Sequence, residues 1–271
     1  MTEMTIKSND GTELAARCTG HGPPIVLVHG ANGDLDTFAL IEGLLAEQHT
    51  VWVYSRRGRG GSGDGPDYTY HREVEDVLAV LAVTGDRAHL MGHSGGAAYA
   101  LLAAVQAPSL RSLVLYEFPV LDRLDSDLID GLVAQMEIAI EADDPDRALE
   151  LFLPQAGIID EEVKALRTLE PVWARVRAGA RLVPREIRAA RREGRDWLGT
   201  LDPPDVPTLY LYGEQTDAPM FPNVSEVPQL LPNAQLCGLP GQRHLAFVFD
   251  PTSFAQAVLD FTTTHDNVSE T

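Results

Sequence analysis

Five consecutive residues, Gly92-His93-Ser94-Gly95-Gly96, have the G-x-S-x-G spacing that carries a serine on a sharp turn between a strand and a helix. Small residues flank the serine because so tight a turn tolerates little side chain, and the turn exposes the Ser94 hydroxyl at a helix N-terminus. A serine hydroxyl is a poor nucleophile at neutral pH and needs an adjacent general base. Of eight histidines, His244 stands out: Leu239-Pro240-Gly241-Gln242-Arg243-His244 follows the last strand and precedes the last helix, so its loop can return an imidazole to Ser94. This pair would perform acyl transfer, which requires two N–H groups aimed at the developing oxyanion. The backbones of Gly95, just after the nucleophile, and of Ala31, in His29-Gly30-Ala31-Asn32-Gly33, are the expected donors.

Two competing patterns are weaker. Gly58-Arg59-Gly60-Gly61-Ser62-Gly63 fits G-x-G-x-x-G after a strand, but Asp64-Gly65-Pro66 follows where a dinucleotide site must open a helix. His89 and His93 straddle a strand and a turn instead of one helical face, which argues against a metal site. The expected chemistry therefore calls for no cofactor and no metal.

The elements that must position these residues alternate early in the chain. Short apolar runs at Ile25–Val28, Val51–Tyr54, Arg87–Met91 and Leu113–Tyr116 read as strands. Helical spacing between Arg72 and Val83, and an Ala-rich segment from Gly95 to Gln106, separate them. Such alternation predicts an α/β fold with a mostly parallel, doubly wound sheet. From Pro119 to about Thr200 no strand is expected, only helices over Leu128–Ala142, Asp146–Leu153 and Glu161–Arg192, the last interrupted at Pro171 and Pro184. Strands resume at Pro207–Tyr212 and Ala234–Cys237, and a helix runs from Ser253 to Phe261. The expected organisation is a core formed by residues 1–118 and 201–271, with 119–200 as an inserted helical cap over the strand ends where open α/β sheets bind ligands. Apolar cap residues Met136, Phe152, Leu153 and Trp173, with Asn32 and Phe118 beside the site, are the expected substrate contacts.

Strand-His29-Gly30, Arg56-Arg57-Gly58-Arg59-Gly60, Gly92-His93-Ser94-Gly95-Gly96 and Gly241-Gln242-Arg243-His244, in that order, resemble the α/β-hydrolase superfamily. The resemblance implies the α/β-hydrolase fold and a third catalytic member, an acid that orients the histidine. Its usual place follows the seventh strand, where Gly213-Glu214-Gln215-Thr216-Asp217 has Thr216 at the expected position, Asp217 one residue late and Glu214 two early. An alternative place ends the sixth strand, and Leu115-Tyr116-Glu117-Phe118-Pro119 puts a carboxylate there. That second arrangement is similar to zearalenone-type lactone hydrolases, as are Pro171-Val172-Trp173-Ala174-Arg175 and the stretch from Leu239 to Pro251. By that resemblance Trp173 contacts substrate and Glu117 is the favoured acid, with Asp217 and then Glu214 as alternatives.

Composition bounds the rest. The chain has 271 residues, 44% of them hydrophobic and 23% charged, within the range of folded globular proteins. A formal net charge of -19 argues against nucleic acid and anionic membrane, which need clustered Lys and Arg. Nine of the 21 basic residues are arginines between Arg167 and Arg195, read as a solvated face balancing the 15 acidic residues from Glu117 to Glu170. No apolar run reaches membrane-spanning length, no apolar leader opens the chain, and two cysteines give no disulfide framework, so a cytoplasmic protein is expected. The expected function is hydrolysis of a carboxylic ester, a lactone or bulky apolar ester, through an acyl-enzyme. A thioesterase or carbon–carbon bond hydrolase with the same triad is the alternative, and a ligand receptor on a hydrolase fold is the competitor of another class. The expected partner is the small-molecule substrate, with a homodimer left open.

Overall fold

The structure is a computed structural model that describes residues 1–85, 87–107, 109–121, 124–193 and 202–266. Its centre is built from strands buried along their whole length: β3 (Pro24–Val28), β5 (His89–His93) and β6 (Ser112–Tyr116). Covering on both faces is what near-continuous apolar runs require, and parallel pairing follows from it. Around them lie β1 (Thr2–Lys7), β2 (Glu13–Gly20), β4 (Thr50–Tyr54), β7 (Thr208–Gly213) and β8 (Ala234–Leu239). The eight-stranded sheet has the order β1-β2-β4-β3-β5-β6-β7-β8. Only β2 pairs antiparallel, with β1 and with β4; every other pairing is parallel.

Strand order reverses at β3, which has β4 on one side and β5 on the other. A crevice opens beyond the carboxyl ends of strands at such a switch point. The Gly30-Ala31 turn leaves β3 there, and Ser94 leaves β5. Helices α1 (Ala39–Leu45), α2 (Tyr70–Ala82) and α3 (Gly95–Gln106) fall within the first half of the sheet. Tyr99, Ala103 and Leu101 of α3 pack with Val74 and Val77 of α2 against Val26 and Leu90.

Among the described residues, α4 (Ser126–Glu141), α5 (Pro145–Phe152), α6 (Asp160–Thr168), α7 (Glu170–Ala180) and α8 (Val183–Glu193) stand between β6 and β7. The expected boundary at 200/201 lies outside the described residues, as does Arg195. Pro171 and Pro184 begin α7 and α8 instead of merely interrupting one helix, because proline lacks only an N–H that a helix start leaves unused. These helices enclose their own apolar cluster, which continues onto Met220 and Phe221 of the core. The chain closes with α9 (Val227–Leu230), α10 (Ala246–Phe249) and α11 (Pro251–Thr263). Among the described residues no helix is long and apolar enough to cross a membrane.

Candidate active site

Ser94 sits between β5 and α3 with φ 54° and ψ -128°, a backbone conformation that L side chains rarely adopt. Its N–H donates to Tyr116 O (2.9 Å), and its carbonyl accepts from Ala97 N (2.8 Å). The turn depends unequally on its glycines. A Cβ on Gly92 would lie 2.4 Å from Ala97 Cα, and one on Gly96 would lie 2.3 Å from Val28 O. A Cβ on Gly95 would meet nothing within 4 Å, so the expected steric need for glycine there does not hold. Gly96→Ala should therefore lower the unfolding free energy by about 2 kcal/mol or more in a denaturant titration. Gly95→Ala should change it by less than about 1 kcal/mol.

His244 is buried, and its Nδ1 lies 2.6 Å from Glu117 Oε2. The other carboxylate oxygen, Oε1, accepts from Gly213 N (2.8 Å), and Glu117 itself is 2% exposed. Glu117 holds φ 50°, left-handed backbone directly after β6, which turns its side chain out of the strand's alternation. Asp217 and Glu214 are exposed, and neither contacts the histidine. The arrangement thus brings Glu117, not the two alternative carboxylates, to the imidazole. With Gly213 N–H on Oε1, Oε2 accepts the hydrogen bond from Nδ1–H, which leaves Nε2 as the nitrogen without a proton.

Three residues without an assigned role in the sequence reading fix this geometry. The Tyr116 hydroxyl donates to Arg243 O and accepts from Ala246 N (3.2 Å), so it grips the chain on both sides of His244. His93 Nε2 donates to His244 O (3.1 Å), and burial, reinforced by the neighbouring His244, pushes its pKa well down. Arg56, fully buried, donates through Nη1 to Gly30 O (3.1 Å) and through Nη2 to Glu73 Oε1 (2.7 Å). Its backbone N–H donates to His29 Nε2 (3.0 Å), while His29 Nδ1 donates to Gly30 O (2.8 Å). Burial, then the charges of Arg56 and Arg59, keep His29 neutral, so the imidazole bridges without adding a charge beside the turn. The only sequence signal for Arg56 was its place in Arg56-Arg57-Gly58. For Tyr116 and His93 there was none, because their partners are backbone atoms distant in sequence.

Ser94 and His244 both line a cavity of about 100 Å³. Asn32, Phe152 and Leu153 line it as expected, with Ile158, Leu166 and Val172 adding apolar wall. A second cavity, about 60 Å³, also borders Ser94 and is lined by Gly95, Phe152, Ile187 and Glu186. Ala31 lines both. Neither the Ala31 nor the Gly95 N–H meets an acceptor among the described residues, as oxyanion donors require.

Three expected substrate contacts are corrected, since Trp173, Met136 and Phe118 line neither cavity. Trp173 is 7% exposed within the cluster of the inserted helices, with the Arg167 guanidinium 4.9 Å from its ring centre. Met136 is fully buried in the same cluster, and Phe118, also fully buried, packs edge-on against Tyr210 in the core cluster that holds α2 and α3. Large apolar groups gain more from a dry core than from a cavity wall.

The Gly58–Gly63 segment has a use other than phosphate binding. Arg59 pairs with Glu186 of α8, Arg185 donates to Asp64 Oδ2 (2.6 Å), and Arg181 donates to Gly58 O (3.4 Å). The segment is where α8 lands on the sheet. Among the described residues His49, His89 and Asp266 also come together, their ligand atoms within 4.8 Å, but they border neither cavity and their ring nitrogens are engaged by Pro23 O, Thr262 Oγ1, Ser112 Oγ and Asp266.

Residues 25–258 match the family described as "Alpha/beta hydrolase family". N-formylmaleamate deformylase of Pseudomonas putida (strain KT2440) is 39% identical over 119 residues, 42% of this chain and 44% of that protein, so the match spans less than half the relative's length. The pimeloyl-[acyl-carrier protein] methyl ester esterase of Xanthomonas campestris pv. campestris (strain B100) is 26% identical over 256 residues, 89% of this chain and 96% of that protein. A crystal structure of an alpha/beta hydrolase from Sphaerobacter thermophilus DSM 20745 superposes with a TM-score of 0.76 at 28% identity, covering 95% of this chain and 99% of that one.

Proposed function

The chain belongs to the alpha/beta hydrolase family, and on that premise we propose that it is a serine hydrolase of small carboxylic esters, lactones included, acting through Ser94, His244 and Glu117. The observation that carries the reading is the 2.6 Å bond between His244 Nδ1 and a buried carboxylate, with the histidine and Ser94 on one cavity. Ser94 Oγ attacks the carbonyl while His244 Nε2 takes its proton. The Ala31 and Gly95 N–H groups hold the tetrahedral oxyanion. His244 then protonates the departing alkoxide, activates a water, and the acyl group leaves as the acid. Glu117 holds the tautomer and offsets the imidazolium charge throughout.

Cavities of about 100 and 60 Å³ support a small substrate, since an engineered cavity of roughly 150 Å³ is the size that takes one benzene ring. The narrower likeness to zearalenone-type lactone hydrolases gains no specific support from the relatives, and a macrolactone exceeds this volume with the helices as they stand. The first relative, a deformylase, favours a second reading within the same chemistry: removal of a short acyl group from nitrogen.

A fluorophosphonate probe, followed by peptide mass spectrometry, should label Ser94 in the folded protein. Acetate and butyrate esters should be turned over and lauroyl esters at least about tenfold more slowly. An inert Ser94 would defeat the reading and bring the receptor forward. Turnover of thioesters or β-diketones but not esters would keep the nucleophile and change the bond.

A further inference from the structure

The described arginines from Arg167 to Arg192 do not share one fate. Arg185, Arg188 and Arg191 are spent on carboxylates through their terminal nitrogens, with Asp64, Glu137 and Asp130 as partners, and Arg177 pairs through Nε with Asp146 away from both cavities. Arg175 is the one among the described arginines that lines the Ser94 cavity. It stands on α7, its side chain 24% exposed, with Nε 3.3 Å from Asp34 Oδ1. Asp34 is itself fixed, its Oδ1 accepting from Asp36 N (2.9 Å) and its N–H donating to Thr37 Oγ1 (2.8 Å). A guanidinium held through Nε keeps its terminal nitrogens for another acceptor, and among the described residues Arg175 Nη1 and Nη2 have none.

Apolar side chains, Leu153, Ile158, Leu166, Val172 and Val248 among them, make up most of the lining and contribute no acceptor, while Asn32, Thr37, His93, Ser94 and His244 are its polar members beside Arg175. A fixed cation with free donors in an apolar wall is a poor site for a neutral alkyl chain and a good one for a carboxylate, which matches its fork. Both Ser94 and Arg175 border a cavity of about 100 Å³, so only a few carbons fit between the scissile carbonyl and the anion.

We infer that the substrate is a short ester or acyl amide bearing a carboxylate a few carbons from the scissile carbonyl, and that Arg175 is the residue selecting it. The inference rests on the serine-hydrolase reading and narrows its substrate class.

The test compares anionic esters with neutral isosteres: monoethyl succinate against ethyl 4-methylpentanoate, and acetoxyacetate against isobutyl acetate. These pairs place the charge on the acyl side and the alcohol side in turn. The wild type should prefer one anionic ester by at least about 50-fold in kcat/KM. Arg175→Gln should cut that ratio at least about tenfold, and Arg175→Lys, which keeps charge but loses the fork, should fall between. Absence of a preference, or one that survives Arg175→Gln, overturns the inference while Ser94-dependent turnover of neutral esters leaves the hydrolase reading intact. Titration calorimetry of succinate and glutarate into the Ser94→Ala protein reads the anion site without turnover. Binding weakened about tenfold or more by adding Arg175→Gln supports the inference, and no such difference overturns it, even if fluorophosphonate labelling shows Ser94 to be inert.

Discussion

Ser94→Ala should reduce kcat on a short ester by about 10⁵- to 10⁶-fold, to a rate close to the uncatalysed background. The expectation is this large because Thr37, the other hydroxyl among the described residues lining the cavity, does not stand on the strand–helix turn that presents Ser94. The residual rate would come from binding and from the Ala31 and Gly95 N–H groups acting on a water. Folding should survive, since Ser94 contributes its backbone to the turn through Tyr116 O and Ala97 N, and alanine keeps both bonds. Stopped assays with product quantified by mass spectrometry, beside thermal unfolding of both proteins, decide it. A variant retaining one-hundredth of the activity would mean that the nucleophile is elsewhere.

Glu117→Gln should lower kcat by about 10⁴-fold with little change in stability, while Asp217→Ala stays within about threefold of wild type. The carboxamide is isosteric, and its oxygen can still accept from Gly213 N. Its NH2 would then occupy the position of Oε2, 2.6 Å from His244 Nδ1, and present a donor to a donor. The imidazole responds by moving its proton to Nε2, the nitrogen that must be basic toward Ser94. The loss is therefore one of tautomer, not of structure, and ¹⁵N NMR of the histidine ring should register the exchange of protonated nitrogen. If Asp217→Ala is the inactive variant instead, the acid has been misassigned.

The catalytic candidates were legible because each lies on a short, punctuated segment. Ser94 is announced by its glycines, His244 by a loop between the last strand and last helix, and the parallel strands by apolar runs that the sheet buries on both faces. What escaped had no such signal. Thr2–Lys7 buries only Ile6, so β1 carries no apolar run, and Ala39–Leu45 lacks a capping side chain at Phe38. The inserted helices were legible as helices but not as faces: Phe152 and Leu153 reach the cavity, whereas Met136 and Trp173 turn into the helices' own cluster. Periodicity fixes which residues share a stripe, and tertiary packing decides which stripe meets the ligand. Arg175 was indistinguishable in sequence from neighbours that pair on the surface.

Tyr116 has a consequence for mechanical tolerance. Its carbonyl holds the backbone of Ser94, its hydroxyl holds the loop on both sides of His244, and Glu117 is the next residue along the chain. The proposed nucleophile, base and acid are thus referenced to a single strand end. A displacement of β6 by thermal sheet breathing carries all three as common-mode motion, and their mutual distances cancel it. An acid mounted beyond β7 would move on an independent datum and add its own error to the His244 contact. Registration of the three groups should therefore persist on heating until β6 itself detaches, so that loss of activity and loss of the central sheet coincide.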